Sequence, residues 1–265
     1  MQSLQTERRF RTAAKYYVSG RPAYAPLLIH RVVELCALNA AHRILDLGCG
    51  PGQLAMAFAP FVREVTALDP EPEMLEVARQ SASSAYPNVY FIQGGSGDLS
   101  LDLGRFQAAT IGRAFHWMDR AQTLKVLDGM IELEGAIVLF GDSHPEVPDN
   151  AWHTQYKQLV EHYAEGDTEK ARLLSPEWLK HDAILLASPF NQIERISVLE
   201  RRRTPIESLV DRALSFSSTS PERLRDKVDI LANEIRSLLA ASASDGAVME
   251  VVESTASVAR RIPYS

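Results

Sequence analysis

The chain has 265 residues, of which 46% are hydrophobic and 23% are charged, a composition typical of globular proteins. Its length fits one large α/β domain and is tight for two full domains. The formal net charge of −6 argues against nucleic acid as a partner, because phosphate binding requires clustered lysine and arginine side chains.

From Arg43 onward, short apolar runs alternate with segments of helical periodicity. The apolar runs predict five strands, over residues 44–47, 65–68, 89–92, 108–114 and 135–140. The helical periodicity predicts helices over residues 53–62, 73–83 and 120–133. Strands and helices in alternation are typical of βαβ units, whose right-handed crossovers place helices on both faces of a parallel sheet.

The pattern changes after residue 143. Residues 143–188 are rich in aromatic side chains and predict a helical insertion. A further strand is predicted over 193–199. The sequence Ser220-Pro221-Glu222 is a typical helix start, because it offers a capping hydroxyl, a proline for the first position and an acid for the first turn. Apolar residues at helical spacing follow it, and 248–258 predicts the last strand, so residues 189–265 are expected to complete the sheet.

A glycine-rich segment follows the first predicted strand. Residues 44–54 read ILDLGCGPGQL, which places Gly48, Gly50 and Gly52 between a buried strand and a helix. Glycines there allow a sharp turn and a close approach of the backbone to a ligand at the helix N-terminus. The third glycine of the dinucleotide pattern GxGxxG would fall at Gln53, which disfavours a nicotinamide-dependent dehydrogenase.

Two acidic residues flank this loop. Asp46, two residues before the first glycine, would repel a pyrophosphate but suits an amino group. Asp69 ends the second strand, where a carboxylate can accept both hydroxyls of a ribose. Together they predict a nucleoside that carries an amino acid. The alternative is that Asp46 caps the following turn and that the glycines serve helix–sheet packing.

Several segments resemble the class I S-adenosylmethionine-dependent methyltransferases. ILDLGCGPGQLA is similar to their first motif, and ALDPEPEMLEVAR is similar to the segment after their second strand. The resemblance covers residues 16–142. GRPAY at 20–24 and AFHWMD at 114–119 resemble the small-molecule branch, methyltransferase type 11, which includes trans-aconitate methyltransferases. The resemblance implies that S-adenosylmethionine donates a methyl group to O, N or C of a small molecule and leaves as S-adenosylhomocysteine.

The resemblance also implies a cofactor site. Its residues would be Asp46, Gly48, Cys49, Gly50, Gly52, Leu54, Asp69, Pro70, Met74, Ser96, Gly97, Asp98, Arg113 and Ala114. The glycine loop would line the methionine part with Asp46 near its amino group, and Asp69 would hold the ribose. Pro70 and Met74 would flank the adenine, Ser96 and Gly97 would offer it backbone contacts, and Asp98 would reach its amino group. The chain departs from the family where Gly-Asp-Ala-Glu-Asp-Leu is common, because residues 94–99 read GGSGDL and Gly95 replaces the first acid.

Substrate residues are expected on either side of this core. His116, with an unperturbed pKa near 6.5, is the candidate general base, and Trp117 is a candidate substrate contact; alternatively His116 packs beside the cofactor. In the family the segment containing Tyr16, Tyr17 and Arg21 folds over the active site, and here it is equally compatible with a helix packed on the sheet. The insertion supplies aromatic side chains for a pocket wall or for core packing: Trp152, His153, Tyr156, Tyr163 and Trp178.

The expected fold is one α/β domain with a doubly wound, mostly parallel seven-stranded sheet and an antiparallel last strand. Residues 1–40 would form lid helices, 41–142 the cofactor-binding core, 143–188 the insertion over the active site and 189–265 the remaining strands and helix. Two unpaired cysteines and the absence of a signal peptide predict a cytoplasmic protein. We expect no metal, no membrane partner, and a monomer or homodimer. The alternative function is a catalytically silent binding or regulatory protein of the same fold.

Overall fold

The computed structural model describes residues 10–262. Its strands are β1 Arg43–Leu47, β2 Glu64–Asp69, β3 Val89–Gln93, β4 Phe106–Gly112, β5 Ile131–Ser143, β6 Gln192–Pro205 and β7 Ala247–Arg260. They form one seven-stranded sheet in the order β3-β2-β1-β4-β5-β7-β6. The pairs along β3-β2-β1-β4-β5 are parallel, whereas β7 is antiparallel to β5. The predicted fold class, including the antiparallel last strand, is confirmed.

Eleven helices occur in the described part of the chain. They are α1 Ala14–Gly20, α2 Pro26–Leu35, α3 Gln53–Phe58, α4 Pro72–Ala82, α5 Arg120–Met130, α6 His153–Tyr163, α7 Thr168–Leu173, α8 His181–Leu186, α9 Ile206–Leu214, α10 Pro221–Leu224 and α11 Val228–Leu239. Local sequence explains several starts, because α2, α4 and α10 begin with proline and the Asp119 carboxylate caps α5 at the Gln122 amide. None of the helices described is long and apolar enough to cross a membrane.

The described residues pack into two compact units. The sheet unit comprises residues 23–143, 173–199 and 253–262, and the helical unit comprises residues 10–22, 144–172 and 200–252. The predicted insertion 143–188 divides between the two, with α6 in the helical unit and α8 in the sheet unit. Residues 1–9 of the predicted lid segment and residues 263–265 at the chain end lie outside the described residues. The single-domain organisation stays a prediction.

Within the sheet unit, alternate residues of β1 are buried on opposite faces. Ile44 packs in a cluster with α2 and α3, which includes Leu28 and Phe58. Leu45 packs on the other face with Leu124 of α5. A strand buried on both sides needs an almost continuous apolar sequence, which is why 44–47 reads as an apolar run broken only by one acid.

The helix predicted over 120–133 is three residues too long. Its apolar spacing continues through Ile131, but α5 ends at Met130 and Ile131 pairs with Phe106 as the first residue of β5. The Ile131 side chain is completely buried in the cluster that includes Leu45 and Leu124, so sheet pairing and this packing prevail over helical periodicity. β5 is accordingly longer than the predicted strand at 135–140.

The helix predicted from Ser220 onward is interrupted. Its first turn forms α10, and Arg225 then takes a φ angle of +54° before a 3₁₀ turn leads into α11. This left-handed residue breaks the α-helical hydrogen-bond series, and the apolar residues that followed the predicted start become the buried face of a second helix. Leu231 and Ile235 lie in the core of the helical unit.

Candidate active site

The chain between β1 and α3 turns through three glycines with positive φ angles. Gly48, Gly50 and Gly52 have φ angles of +69°, +54° and +80°, values that a side chain would strain. The amides of Gly48 and Cys49 donate to the Leu68 carbonyl oxygen at 2.8 and 2.9 Å. These bonds fix the loop against the end of β2, at the carboxyl edge of the parallel strands.

The three glycines differ in what surrounds them. A Cβ atom on Gly48 would lie 2.6 Å from the Ala114 Cβ, and one on Gly52 would lie 2.9 Å from the Phe91 ring. A Cβ atom on Gly50 would meet nothing within 4 Å. Packing therefore explains the absence of side chains at Gly48 and Gly52, whereas Gly50 presents bare backbone to open space that a ligand can occupy.

Asp69 lies at the end of β2 beside this open backbone. Its carboxylate accepts hydrogen bonds from the amides of Gly50 at 2.8 Å and Glu71 at 2.9 Å. Burial raises the pKa of Asp69, and the two amide donors oppose that rise. A carboxylate has about four acceptor positions, so two remain for further donors such as ribose hydroxyls. The residue predicted to hold the ribose is thus rigidly oriented.

Asp46 has two partners inside the protein. Its side chain is 1% exposed and accepts from the Ala55 amide and the Thr110 hydroxyl, both at 3.0 Å. Burial raises its pKa to about 7, against the effect of both donors. These contacts match the capping alternative, since the carboxylate ties the first turn of α3 to β4. Contact with a ligand amino group stays a prediction. Cys49, also buried, has a pKa well above its usual value because of burial and both acids.

The residues predicted beside the adenine lie in the segments that follow β2 and β3. Met74 is buried in α4, and Pro70 is exposed. The Asp98 carboxylate accepts from the Gly95 amide at 2.8 Å and closes the turn over residues 95–98. Within that turn Ser96 is half-buried, and Gly97 has open space at its Cβ position. Asp98 therefore shapes this edge, and its contact with the adenine amino group stays a prediction.

Arg113 follows β4 with a φ angle of +55° and an engaged side chain. Its Nε donates to the Asp142 carboxylate, its terminal nitrogen lies 3.3 Å from the Gln53 side-chain oxygen, and its Cζ lies 4.5 Å from the centre of the Tyr24 ring. Arg113 thus joins its own segment to three others far apart in sequence, and no motif in the sequence placed the side chains of Gln53 or Asp142 in the site. Leu54, also predicted for the cofactor site, is buried in α3.

The turn that carries His116 packs on the glycine loop. The Cβ position of Gly48 lies 2.6 Å from Ala114 and 3.3 Å from the Met118 side chain, on either side of the 3₁₀ turn Phe115–Trp117. The His116 and Trp117 rings lie 4.7 Å apart, and both side chains are half-buried. The candidate base is thereby brought to the edge where the glycine loop begins.

The predicted substrate residues of the N-terminal segment belong to the helical unit. Arg21 donates from Nε to the Ser215 hydroxyl at 2.8 Å, and its Cζ lies 4.1 Å from the Phe216 ring centre and 5.2 Å from that of Tyr17. Tyr16 packs against the core of that unit. These contacts pack the segment against residues of the helical unit, whereas the alternative had it packed on the sheet, and the substrate role of the three residues stays a prediction.

Two of the insertion aromatics are core residues of the helical unit. Trp152 donates to the Met249 carbonyl oxygen at 2.8 Å, and Tyr156 donates to the Leu209 carbonyl oxygen at 2.7 Å. Both are less than 10% exposed, as core packing requires. Trp178, by contrast, belongs to the sheet unit and is half-buried.

Similarity to known proteins agrees with this arrangement. Residues 44–133 match a family described as a methyltransferase domain, a stretch that includes the glycine loop, Asp69 and His116. An uncharacterized methyltransferase of Mycobacterium tuberculosis is 28% identical over 87% of this chain and 85% of its own length. A demethylmenaquinone methyltransferase of Lactococcus lactis is 30% identical over 53% of this chain and 58% of its own length.

A solved structure shares the fold. The S-adenosylmethionine-dependent methyltransferase of Geobacter sulfurreducens, crystallised with S-adenosyl-L-homocysteine, superposes with a TM-score of 0.52 at 18% identity, over 98% of this chain and all of that one. The sequence matches, the sheet order and the glycine loop lead to the same conclusion. Residues 44–133 belong to the methyltransferase domain family, and the chain as a whole resembles the class I S-adenosylmethionine-dependent methyltransferases.

Proposed function

We propose that this enzyme methylates a small-molecule acceptor, with the cofactor bound at the carboxyl edge of β1 and β2. The observation that carries the proposal is the open, left-handed backbone at Gly50, whose amide is bonded to Asp69. This arrangement fits the cofactor, because bare backbone admits the amino acid portion while a fixed carboxylate is available to two hydroxyls. When bound, S-adenosylmethionine supplies a methyl group on an activated sulfonium.

Each part of the proposed cofactor site has a distinct task. Asp69 holds the ribose, the Gly48–Gly52 backbone lines the methionine portion, and Pro70 with Met74 borders the adenine. The turn over residues 96–98 offers backbone groups to the adenine as well. Asp46 acts mainly through the loop, since its contacts to Ala55 and Thr110 fix the start of α3.

On the substrate side we assign His116 as the general base. Neutral imidazole can remove a proton from a hydroxyl or an acidic carbon near pH 7. The His116 turn lies against Gly48, so a base there is adjacent to the proposed methionine pocket. Positioning of the acceptor and exclusion of water supply the rest of the rate enhancement.

A small acceptor is favoured over a macromolecule on two grounds. The net charge of −6 is unsuited to nucleic acid, and one relative, a demethylmenaquinone methyltransferase, is named for an acceptor that is not a macromolecule. The test is release of S-adenosylhomocysteine from S-adenosylmethionine over a panel of phenols, carboxylic acids, amines and quinols, beside transfer RNA, DNA and denatured protein. Turnover with a small molecule supports the proposal, and turnover restricted to a macromolecule contradicts it.

Cofactor binding is measured separately by isothermal titration with S-adenosylhomocysteine. Binding in the micromolar range is expected, and its loss in Asp69→Ala would support the assignment of the ribose site. If the wild-type protein fails to bind, the proposed site is wrong irrespective of the acceptor.

A further inference from the structure

A second histidine lies beside the His116 turn within the sheet unit. The His181 ring, at the start of α8, is nearly parallel to that of His116, with ring centroids 6.4 Å apart and planes 19° apart. It also lies 5.1 Å from the Phe115 ring and 6.4 Å from the Trp178 ring. We call these neighbouring rings, His116, Trp117, Trp178 and His181, the aromatic wall. It brings a histidine 65 positions further along the chain beside the candidate base.

Arg120 fixes the His181 ring. Its terminal nitrogen lies 3.3 Å from His181 Nδ1 and donates to the Leu179 carbonyl oxygen at 2.6 Å, while its Cζ lies 3.7 Å from the Trp178 ring centre. A guanidinium has only donors, so Nδ1 must be the acceptor in this pair. The proton of neutral His181 is consequently on Nε2.

The charge state agrees with this tautomer. Burial is the largest effect that lowers the pKa of His181, Arg120 lowers it further, and Asp182 opposes them. His181 is therefore neutral at pH 7 and is a poor base. Among residues 10–262 no acceptor is hydrogen-bonded to its Nε2, and the side chain is only half-buried. A fixed N–H donor is thus available at this wall.

We propose that His181 positions the methyl acceptor by donating its Nε2–H to an oxygen of a flat, conjugated carboxylate or phenolate. The half-buried Trp117 and Trp178 rings present aromatic surface that favours a flat molecule. The Arg120 guanidinium, held within 3.3 Å of the imidazole, favours an anionic oxygen. His181 is then a positioning and specificity residue, and His116 remains the base; this assignment rests on the proposed function.

The test uses benzoate as the probe, bound to the full chain saturated with S-adenosylhomocysteine. Long-range ¹H–¹⁵N spectra of the histidine rings identify the protonated nitrogen of His181 and any shift on binding. Benzoate affinity is measured for wild type, for His181→Phe, which keeps a ring, and for His181→Gln, which keeps an amide donor. His162→Phe is the matched control, because His162 is an exposed histidine of the helical unit whose Nδ1 lies 3.1 Å from the Glu165 carboxylate.

We expect benzoate to shift the His181 Nε2 resonance and His181→Phe to weaken its binding about tenfold, or about 1.4 kcal/mol. His181→Gln should recover most of that loss, and His162→Phe should match wild type. Affinity for S-adenosylhomocysteine should stay within twofold in every variant. No benzoate binding by wild type, or equal binding by wild type and His181→Phe, overturns the inference. Failure of the wild-type protein to bind S-adenosylhomocysteine instead contradicts the proposed function.

Discussion

Replacement of Gly50 by alanine separates the ligand-binding role of the glycine loop from its folding role. Gly50 has a φ angle of +54°, and its Cβ position is free of protein atoms within 4 Å. The added methyl group therefore costs backbone strain but creates no clash in the free protein. It does project into the space proposed for the cofactor, beside the amide that donates to Asp69.

The backbone strain and the loss of ligand space differ in size and are measured by different methods. A left-handed alanine costs about 1 kcal/mol relative to glycine, which lowers the melting temperature by about 2–4 °C for a chain of this size. A methyl group in the ligand space should weaken binding of S-adenosylhomocysteine at least tenfold, roughly 1.4 kcal/mol. Thermal melts followed by circular dichroism measure the first effect, and isothermal titration measures the second.

Gly166→Ala is the matched control. Gly166 has a φ angle of +80° and an equally open Cβ position, but it belongs to the helical unit. Both variants should lose similar stability, and only Gly50→Ala should lose affinity. The reasoning is refuted if Gly50→Ala binds S-adenosylhomocysteine as tightly as wild type, or if Gly166→Ala loses affinity to the same extent.

Three further predictions concern the acids and the candidate base. Asp69→Ala should weaken S-adenosylhomocysteine binding more than tenfold in isothermal titration, because two ribose hydrogen bonds to a charged group are lost; unchanged affinity would contradict the ribose assignment. His116→Ala should bind the same ligand normally and slow S-adenosylhomocysteine release by about 10², whereas a rate within a few-fold of wild type would return His116 to a packing role. Asp46 has a pKa raised to about 7 in the folded chain, above its unfolded value of about 3.9, so it stabilises the fold below about pH 4 and that contribution is lost as the pH rises through about 7. Urea unfolding at pH 5, 6.5 and 8 should therefore show wild type losing stability relative to Asp46→Asn as the pH rises, and parallel curves for the two proteins would contradict the shifted pKa.

Much of the cofactor site could be predicted because its elements are contiguous in sequence. Strand, glycine turn and helix occupy residues 43–58, and the φ angles of the glycines follow from the sharp reversal. Asp69 could be predicted at the sheet edge because parallel strands end together, so a residue that ends β2 lies beside the loop that follows β1.

The contacts that define several side-chain roles could not be predicted in this way. Asp46 reaches Thr110, Arg113 reaches Asp142, and His181 reaches Arg120, over separations of 64, 29 and 61 residues. Periodicity gives the face on which a residue lies but carries no information about which distant group is opposite. The end of α5 was misplaced for the same reason, since pairing with Phe106 determined the structure at Ile131.

By itself, the sequence determined the alternation of strands and helices, the turn that only glycine adopts easily, and the acids at the ends of two strands. These features depend on interactions between residues close along the chain. Only the tertiary structure decided that Asp46 is held by internal donors, that Gly50 alone of the three loop glycines has open space at its Cβ position, and that a second histidine lies beside the first. Those properties depend on distances between segments, which are set by how the sheet and its helices pack.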